Sequence, residues 1–169
     1  MSEIRPATPA DLDAIVAVHH AAFGRPNEGD LVRRLVDAGH ASISLVAVDD
    51  EDTVIGHVLF SPLTIETGDD GKALGLAPIA VLPDYQRQGV GHALIEEGIG
   101  ACFVADARAV FVLGSPAYYG QFGFSKASAH ELHDAFEGGN AFQVLPLTID
   151  GLGGYKGRVN YAPAFSEGL

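Results

Sequence analysis

Ala77-Pro78-Ile79-Ala80-Val81-Leu82-Pro83-Asp84-Tyr85-Gln86-Arg87-Gln88-Gly89-Val90-Gly91 is the stretch on which the reading of this chain turns. An aliphatic run ends at Leu82, and a polar loop with Arg87 and two glycines follows. From Val90 onward apolar residues recur at Leu94, Ile95, Ile99 and Cys102, as on one face of a helix reaching about Val104. The segment therefore reads strand, loop, helix. Glycines in such a loop let backbone N–H groups turn toward one point, and the helix N-terminus adds a partial positive charge. That arrangement suits a pyrophosphate, with Arg87 as the nearby cation; the same spacing also fits a capped helix behind an ordinary glycine turn. Two phosphate loops are excluded. A nucleoside-triphosphate loop needs Gly-x4-Gly-Lys-Ser/Thr, and no lysine is present here. A dinucleotide fingerprint needs a third glycine where Leu94 stands, within parallel βαβ units.

Working outward, the flanking runs alternate between strand and helix patterns. Glu3–Arg5 opens as a short strand. Thr8-Pro9-Ala10-Asp11 is a helix start, with Thr8 as cap, proline at the first helical position and an acid three residues on. Leu12, Ile15, Val16 and Phe23 give helix 1 an apolar face over about 9–23, and a second helix over 28–38 stops at Gly39. Strands are predicted at 42–48, 53–65 and 73–82, joined by acidic and glycine-rich turns that suggest an antiparallel meander. Ala109–Leu113 is a buried strand. It runs into Gly114-Ser115-Pro116, a second cap-plus-proline start, and a short aromatic helix ending by Gly123. Two further strands are expected near 124–126 and 142–147. Pro78, inside a strand that should be central, cannot donate a ladder hydrogen bond, which points to a bulge there or to a plain edge-strand proline.

Composition narrows the function classes. The chain has 169 residues, 47% of them hydrophobic and 19% charged, which fits one domain, 1–169, with 125–169 its less periodic C-terminal part. It carries 22 acidic against 10 basic residues, a net charge of −12, so nucleic-acid and membrane-surface partners are not expected. Met1–Pro6 has no basic leader, no apolar stretch reaches membrane-spanning length, and Cys102 is the single cysteine; a cytoplasmic protein is expected.

The run Pro78–Leu94 resembles the GNAT superfamily of N-acetyltransferases. It carries that family's Gln/Arg-x-x-Gly-x-Gly/Ala signature as Gln86, Gly89 and Gly91. Gly114-Ser115-Pro116-Ala117-Tyr118-Tyr119-Gly120-Gln121-Phe122-Gly123-Phe124 is similar to the family's closing Tyr-x-x-x-Gly-Phe block, especially in its small bacterial YhbS-like branch. The resemblance implies an α/β GNAT fold: a mixed, mostly antiparallel sheet of six or seven strands with helices on both faces. It implies acetyl-CoA as cosubstrate, no metal, an amine acceptor, and a homodimer among the expected states.

The pyrophosphate would sit on the backbone N–H groups of Arg87, Gln88, Gly89, Val90, Gly91 and His92. Ala80, Val81 and Gln86 complete the cofactor-binding set, and the pantetheine arm runs between strands ending at Val81 and Leu113. The Val81 N–H would face the thioester oxygen, where charge develops. Tyr119, at the family's tyrosine position, would be the general acid that protonates the departing thiolate. Tyr118, about 100° around the same helix, is read as packing or a lesser substrate contact.

The base is unassigned. No Asp or Glu lies on Ala73–Leu82, and Glu66, Ser115 with a water, or a histidine are the candidates. His19 is expected to be partly buried and satisfied, His20 to face outward, and His57 to face either core or acceptor. His130-Glu131-Leu132-His133 has spacing three, not the four of the zinc-protease helix, and is expected on a solvated or substrate-facing helix. Phe23–Asp30 is a candidate wall for the acceptor. The competing function is a non-catalytic acyl-CoA-binding or sensory module on the same fold.

Overall fold

A computed structural model describes residues 2–167. Its strands are β1 (Glu3–Pro6), β2 (Ile43–Val48), β3 (Val54–Pro62), β4 (Thr64–Thr67), β5 (Ala73–Val81), β6 (Ala109–Leu113), β7 (Ser125–Lys126), β8 (Leu132–Asp134), β9 (Phe142–Pro146) and β10 (Lys156–Asn160). Its α-helices are α1 (Leu12–Phe23), α2 (Asn27–Asp37), α3 (Val90–Val104) and α4 (Pro116–Gly120). A seven-stranded sheet runs β1-β2-β3-β5-β6-β9-β7, and a three-stranded sheet runs β4-β10-β8. The β1–β2, β2–β3, β6–β9 and β7–β9 pairs are antiparallel, and β5–β6 is parallel. This is the mixed, mostly antiparallel α/β sheet expected.

The structure departs from the sequence reading at three expected elements, besides adding β8 and β10. The strand expected over 53–65 is two strands, and β4 pairs with β10 instead of continuing the main sheet. The change falls at Pro62-Leu63: the Leu63 N–H donates to Ala73 O at 3.0 Å, and Leu63 and Ile65 are then buried in a second core. Helix 1 opens as a 3-10 turn at Pro9–Asp11 before α1 begins. The Asp11 carboxylate accepts from the Thr8 N–H at 2.7 Å and from Arg5 at 2.8 Å, and these bonds hold its pKa well below the ordinary carboxylate range. His130–His133 is not on an α-helix: a 3-10 turn ends in Glu131 at φ 61°, and β8 follows.

The chain divides into two compact units. The first comprises the residues up to Phe60, Ala77–Ala101 and the residues from Pro163. Within it β3 is buried along almost its whole length, as a strand covered on both faces must be. Gly56 and Gly98 let α3 lie close: a Cβ at Gly56 would approach Leu94 and Val90 to 3.1 and 3.2 Å, and one at Gly98 would enter the Phe60 ring. Gly29 does the same for α2 on α1, where a Cβ would come within 2.6 Å of the His20 ring.

The second unit comprises Ser61–Leu76 and Cys102–Ala162. Its core joins Leu63, Ile65, Phe111, Leu132, Phe142 and Val144, with the Phe111 and Phe142 rings stacked at 5.5 Å. Arg108 fastens its loops. The guanidinium lies 4.1 Å over the Tyr155 ring and donates to Asp70 at 2.8 Å, to Gly153 O at 2.5 Å and to Asp150 O at 3.3 Å.

Candidate active site

The loop between β5 and α3 is built by its own short-range bonds. The Leu82 N–H donates to Ile55 O at 2.8 Å, tying the end of β5 to β3. Pro83–Tyr85 make one 3-10 turn, closed by the Tyr85 N–H on Leu82 O at 2.9 Å. Two glutamine amides then fold the loop on itself: Gln86 Nε2 donates to Val81 O at 3.0 Å and Gln88 Nε2 to Asp84 O at 3.1 Å. The side chain of Gln86, expected among the cofactor contacts, is thus engaged with the loop's own backbone. Gly89 stands at φ 85°, and Arg87 adopts φ 62°, which glycine tolerates and arginine seldom does. Left-handed residues interleaved with ordinary ones turn successive N–H groups toward a common side, forming an anion-binding concavity.

Immediately after it α3 begins, with Val90, Gly91 and His92 in its first turn, where N–H groups have no acceptor four residues back. Fifteen residues of helix direct their dipole at that point. His92 is also paired with Glu96 one turn on. Arg87 supplies an exposed cation. The arrangement can hold a phosphate-type anion on backbone donors despite the net charge of −12. Beside it, between Asp49, Asp50 and Glu51 of the β2–β3 turn and Tyr85, Gln88 and Val90, lies a cavity of about 460 Å³. Its acidic wall suits a cation rather than a second phosphate.

In the second unit, α4 carries the other predicted residues. Ser115 caps it, its hydroxyl accepting the Tyr118 N–H at 3.3 Å. Tyr119 is 9% exposed, edge-on to Phe124 at 5.7 Å and to Tyr118 at 5.1 Å. Gly114 makes room for that ring, since a Cβ there would enter it. Burial pushes the Tyr119 hydroxyl up to about 12, with Tyr118 adding to the effect. Tyr118 is 38% exposed.

The base candidates sort themselves. Glu66 is exposed on β4 and accepts the Arg158 N–H at 2.9 Å across the β4–β10 bulge, a structural use. Ser115 is the helix cap just described. Cys102 is buried, and burial raises its thiol to about 12, so it is no nucleophile. Among the described residues no three His, Cys, Asp or Glu side chains gather as a metal site.

The histidines give the finding that sequence reasoning missed. His19 on α1 and His57 on β3 are both wholly buried, and His19 Nε2 lies 2.8 Å from His57 Nδ1. The other His57 nitrogen, Nε2, lies 2.8 Å from Ser44 Oγ on β2. Among the described residues the buried His19 Nδ1 finds no hydrogen-bond partner, contrary to the expectation of a satisfied histidine. Such an orphaned polar atom costs about 1–3 kcal/mol. Burial lowers His19 from 6.5 to about 4 and puts His57 well below its ordinary value, so both rings are neutral near pH 7. The readable signal was two histidines inside apolar runs; their meeting depends on helix-to-sheet packing, which no local pattern encodes.

A family model described as an acetyltransferase (GNAT) domain matches residues 3–127. The chain is 39% identical over 165 residues to the uncharacterized N-acetyltransferase YhbS of Escherichia coli K12, covering 97% of this chain and 98% of that one. It is similar to the crystal structure of the E. coli GNAT family N-acetyltransferase YhbS in complex with CoA, at TM-score 0.94 and 38% identity, covering 99% of this chain and 93% of that one. A GNAT family acetyltransferase from Brucella melitensis, in complex with acetyl-CoA, superposes at TM-score 0.82 with 35% identity and 98% of each chain covered.

Proposed function

The chain belongs to the GNAT acetyltransferase family, and from that premise we propose that it moves an acetyl group from acetyl-CoA directly to an amine, residues 1–169 acting as one transferase domain. The observation that carries this reading is the loop before α3: Arg87 and Gly89 in left-handed conformations, followed by the open first turn of a fifteen-residue helix. Backbone N–H groups from Arg87 to His92 take the pyrophosphate, with Ala80 and Val81 along the pantetheine arm and Gln86 acting through the loop it ties. The binding of CoA and acetyl-CoA by similar proteins supports the choice of anion.

In the reaction the amine lone pair attacks the thioester carbonyl. A C–N bond forms, and the carbonyl electrons move to oxygen, where the Val81 N–H stabilises them. Collapse breaks the C–S bond, and the thiolate takes the hydroxyl proton of Tyr119. Because burial keeps that hydroxyl protonated to about pH 12, the acid form persists across the working range.

The test is thermal stabilisation by CoA together with thiol release from acetyl-CoA over a panel of amines. Ligand at a hundred times its Kd stabilises by about 2.7 kcal/mol, a shift of several degrees. Gly89→Pro, which removes an N–H and cannot adopt φ 85°, is expected to abolish the shift. Tyr119→Phe is expected to lower kcat about 100-fold with the KM for acetyl-CoA unchanged. Wild-type kcat should show no fall on the alkaline side through pH 10; a fall centred near 10 would reassign the acid. A second reading, a non-catalytic acyl-CoA-binding module, draws on the absence of a carboxylate along β5. Stabilisation by CoA without turnover of any amine would favour it.

A further inference from the structure

The loop before α3 shares a cavity with side chains of the wrong charge for an anion. Asp49, Asp50 and Glu51 of the β2–β3 turn line that space of about 460 Å³ together with Tyr85, Gln88 and Val90 of the loop and the first turn of α3. We propose that the β2–β3 turn is an electrostatic brake on the cofactor: it weakens the binding of CoA at low ionic strength and makes affinity rise with salt, the reverse of the ordinary response of an anionic ligand. The inference rests on the reading that Arg87–His92 take the pyrophosphate.

The turn is held so that its charge stays where it is. Asp49 accepts the N–H groups of Glu51 and Thr53, both at 2.9 Å, and the Asp49 N–H donates to Thr53 O at 3.0 Å. The Asp52 N–H closes on Asp49 O at 3.0 Å. Asp52 itself is offset by Arg5, whose guanidinium lies 3.6 Å from it. Asp49, Asp50 and Glu51 are left on the cavity wall, and among the described residues that line it none is basic. On the loop, Arg87 is an exposed cation and Asp84 an exposed anion, and His92 is paired with Glu96.

The distances decide which force salt removes. A cavity of that volume is about 10 Å across, one Debye length at about 0.1 M salt and well inside the roughly 30 Å at 0.01 M. Backbone donors hold a phosphate at hydrogen-bond distance, where mobile ions do not intervene, so the anion binds despite the acids. The repulsion acts across the solvent of the cavity, and salt screens it first. The pull of Arg87 is screened as well, but it is one charge against three. That the ligand is an anionic cofactor is supported apart from the acids, since the two similar crystal structures hold CoA and acetyl-CoA. The consequence is a transferase whose grip on its cofactor follows the ionic strength around it.

Calorimetric titration of the full chain with CoA tests this, in sodium gluconate from about 0.01 to about 0.3 M; the bulky anion is a poor rival for backbone donors. The wild-type Kd should fall on the order of 5-fold across that range. Asp50→Asn with Glu51→Gln should bind CoA on the order of 3-fold tighter than wild type at the low end and match it at the high end. Asp49 stays in place because it holds the turn. Asp37→Asn, which removes an exposed charge of α2 that does not line the cavity, should leave the salt response as it is.

A wild-type Kd that rises with salt or does not change overturns the brake alone, as does a double variant whose advantage is absent or persists at the high end. An equal gain from Asp37→Asn assigns the effect to net charge and overturns the role of the turn. CoA that binds at no salt concentration overturns the cofactor reading, and the brake with it.

Discussion

Two of the molecule's polar side-chain networks solve opposite problems. In the second unit, Asp70, Arg108 and Tyr155 form a closed set: the Asp70 carboxylate accepts from Arg108 Nη1 at 2.8 Å and from the Tyr155 hydroxyl at 2.5 Å, and Arg108 Nη2 reaches two carbonyls. In the first, His19, His57 and Ser44 form an open set whose last nitrogen has no partner. The closed set reaches solvent at Arg108 and Asp70, and each of its members is bonded. The open set is deep in the core and incomplete. The first kind stabilises a fold; the second, as it stands, leaves a buried nitrogen uncompensated.

Arg108→Met should give the largest stability effect of this comparison. It removes three hydrogen bonds, the cation–π contact with Tyr155 and the counter-charge of Asp70 together. A loss of about 2–3 kcal/mol is expected, read as a lowered urea midpoint at unchanged m. A loss within 0.5 kcal/mol would mean that the closed set is ornamental and that the contrast with the open one fails.

Asp70→Asn separates charge from packing in the same cluster. The Tyr155 and Arg108 bonds hold Asp70 at about 2, against 3.8 for an unperturbed aspartate. A depressed carboxylate stabilises the fold above pH 3.8, and that contribution is lost as pH falls toward 2. Discounted for solvent screening of a side chain that is 36% exposed, the effect at pH 7 is about 1 kcal/mol. Wild type and variant should converge in acid unfolding near pH 2; a constant gap at every pH would assign the effect to packing.

The same contrast explains what the sequence could disclose. The loop before α3 was legible because its shape is a matter of local backbone geometry, which glycines at 89 and 91 after a β run betray. The short helix carrying Tyr119 was legible through a local block, and the burial of that ring goes with the aromatic neighbours around it. The strand Ala109–Leu113 matched to the residue because it is short, apolar and bounded by Gly114. By contrast β10, Lys156-Gly157-Arg158-Val159-Asn160, has a single buried residue, Val159, and takes its strand character from β4 and β8 on either side. The histidine chain was hidden for a related reason. His19 and His57 are 38 residues apart, and Ser44 meets His57 as a diagonal neighbour across the β2–β3 register, in which Val46 faces His57. Register and helix packing place these groups, and neither is written in a local pattern.

The smallest expected effect is also the one that bears most on the open network. Replacing both rings together, His19→Leu with His57→Leu, removes donor and acceptor at once and fills similar volume. Removal of both partners of a buried bond is near neutral, and here it also removes an orphaned nitrogen. At pH 7 the double variant should unfold within about 1 kcal/mol of wild type, in either direction. Lowering the pH should then part the two proteins. Burial holds His19 at about 4 in the fold, while an unfolded histidine titrates near 6.5. Below 6.5 the unfolded chain binds a proton that the folded one refuses, so the wild type loses stability as pH falls, and the variant lacks that term. For His19 alone the advantage to the variant at pH 5 is about 2 kcal/mol, and His57, lowered in the same direction, adds to it. Calorimetric midpoints from pH 7.5 to 4.5 measure this directly. A variant already several kcal/mol less stable at pH 7 would show that the histidines hold the core together, and the open network would then be structural after all.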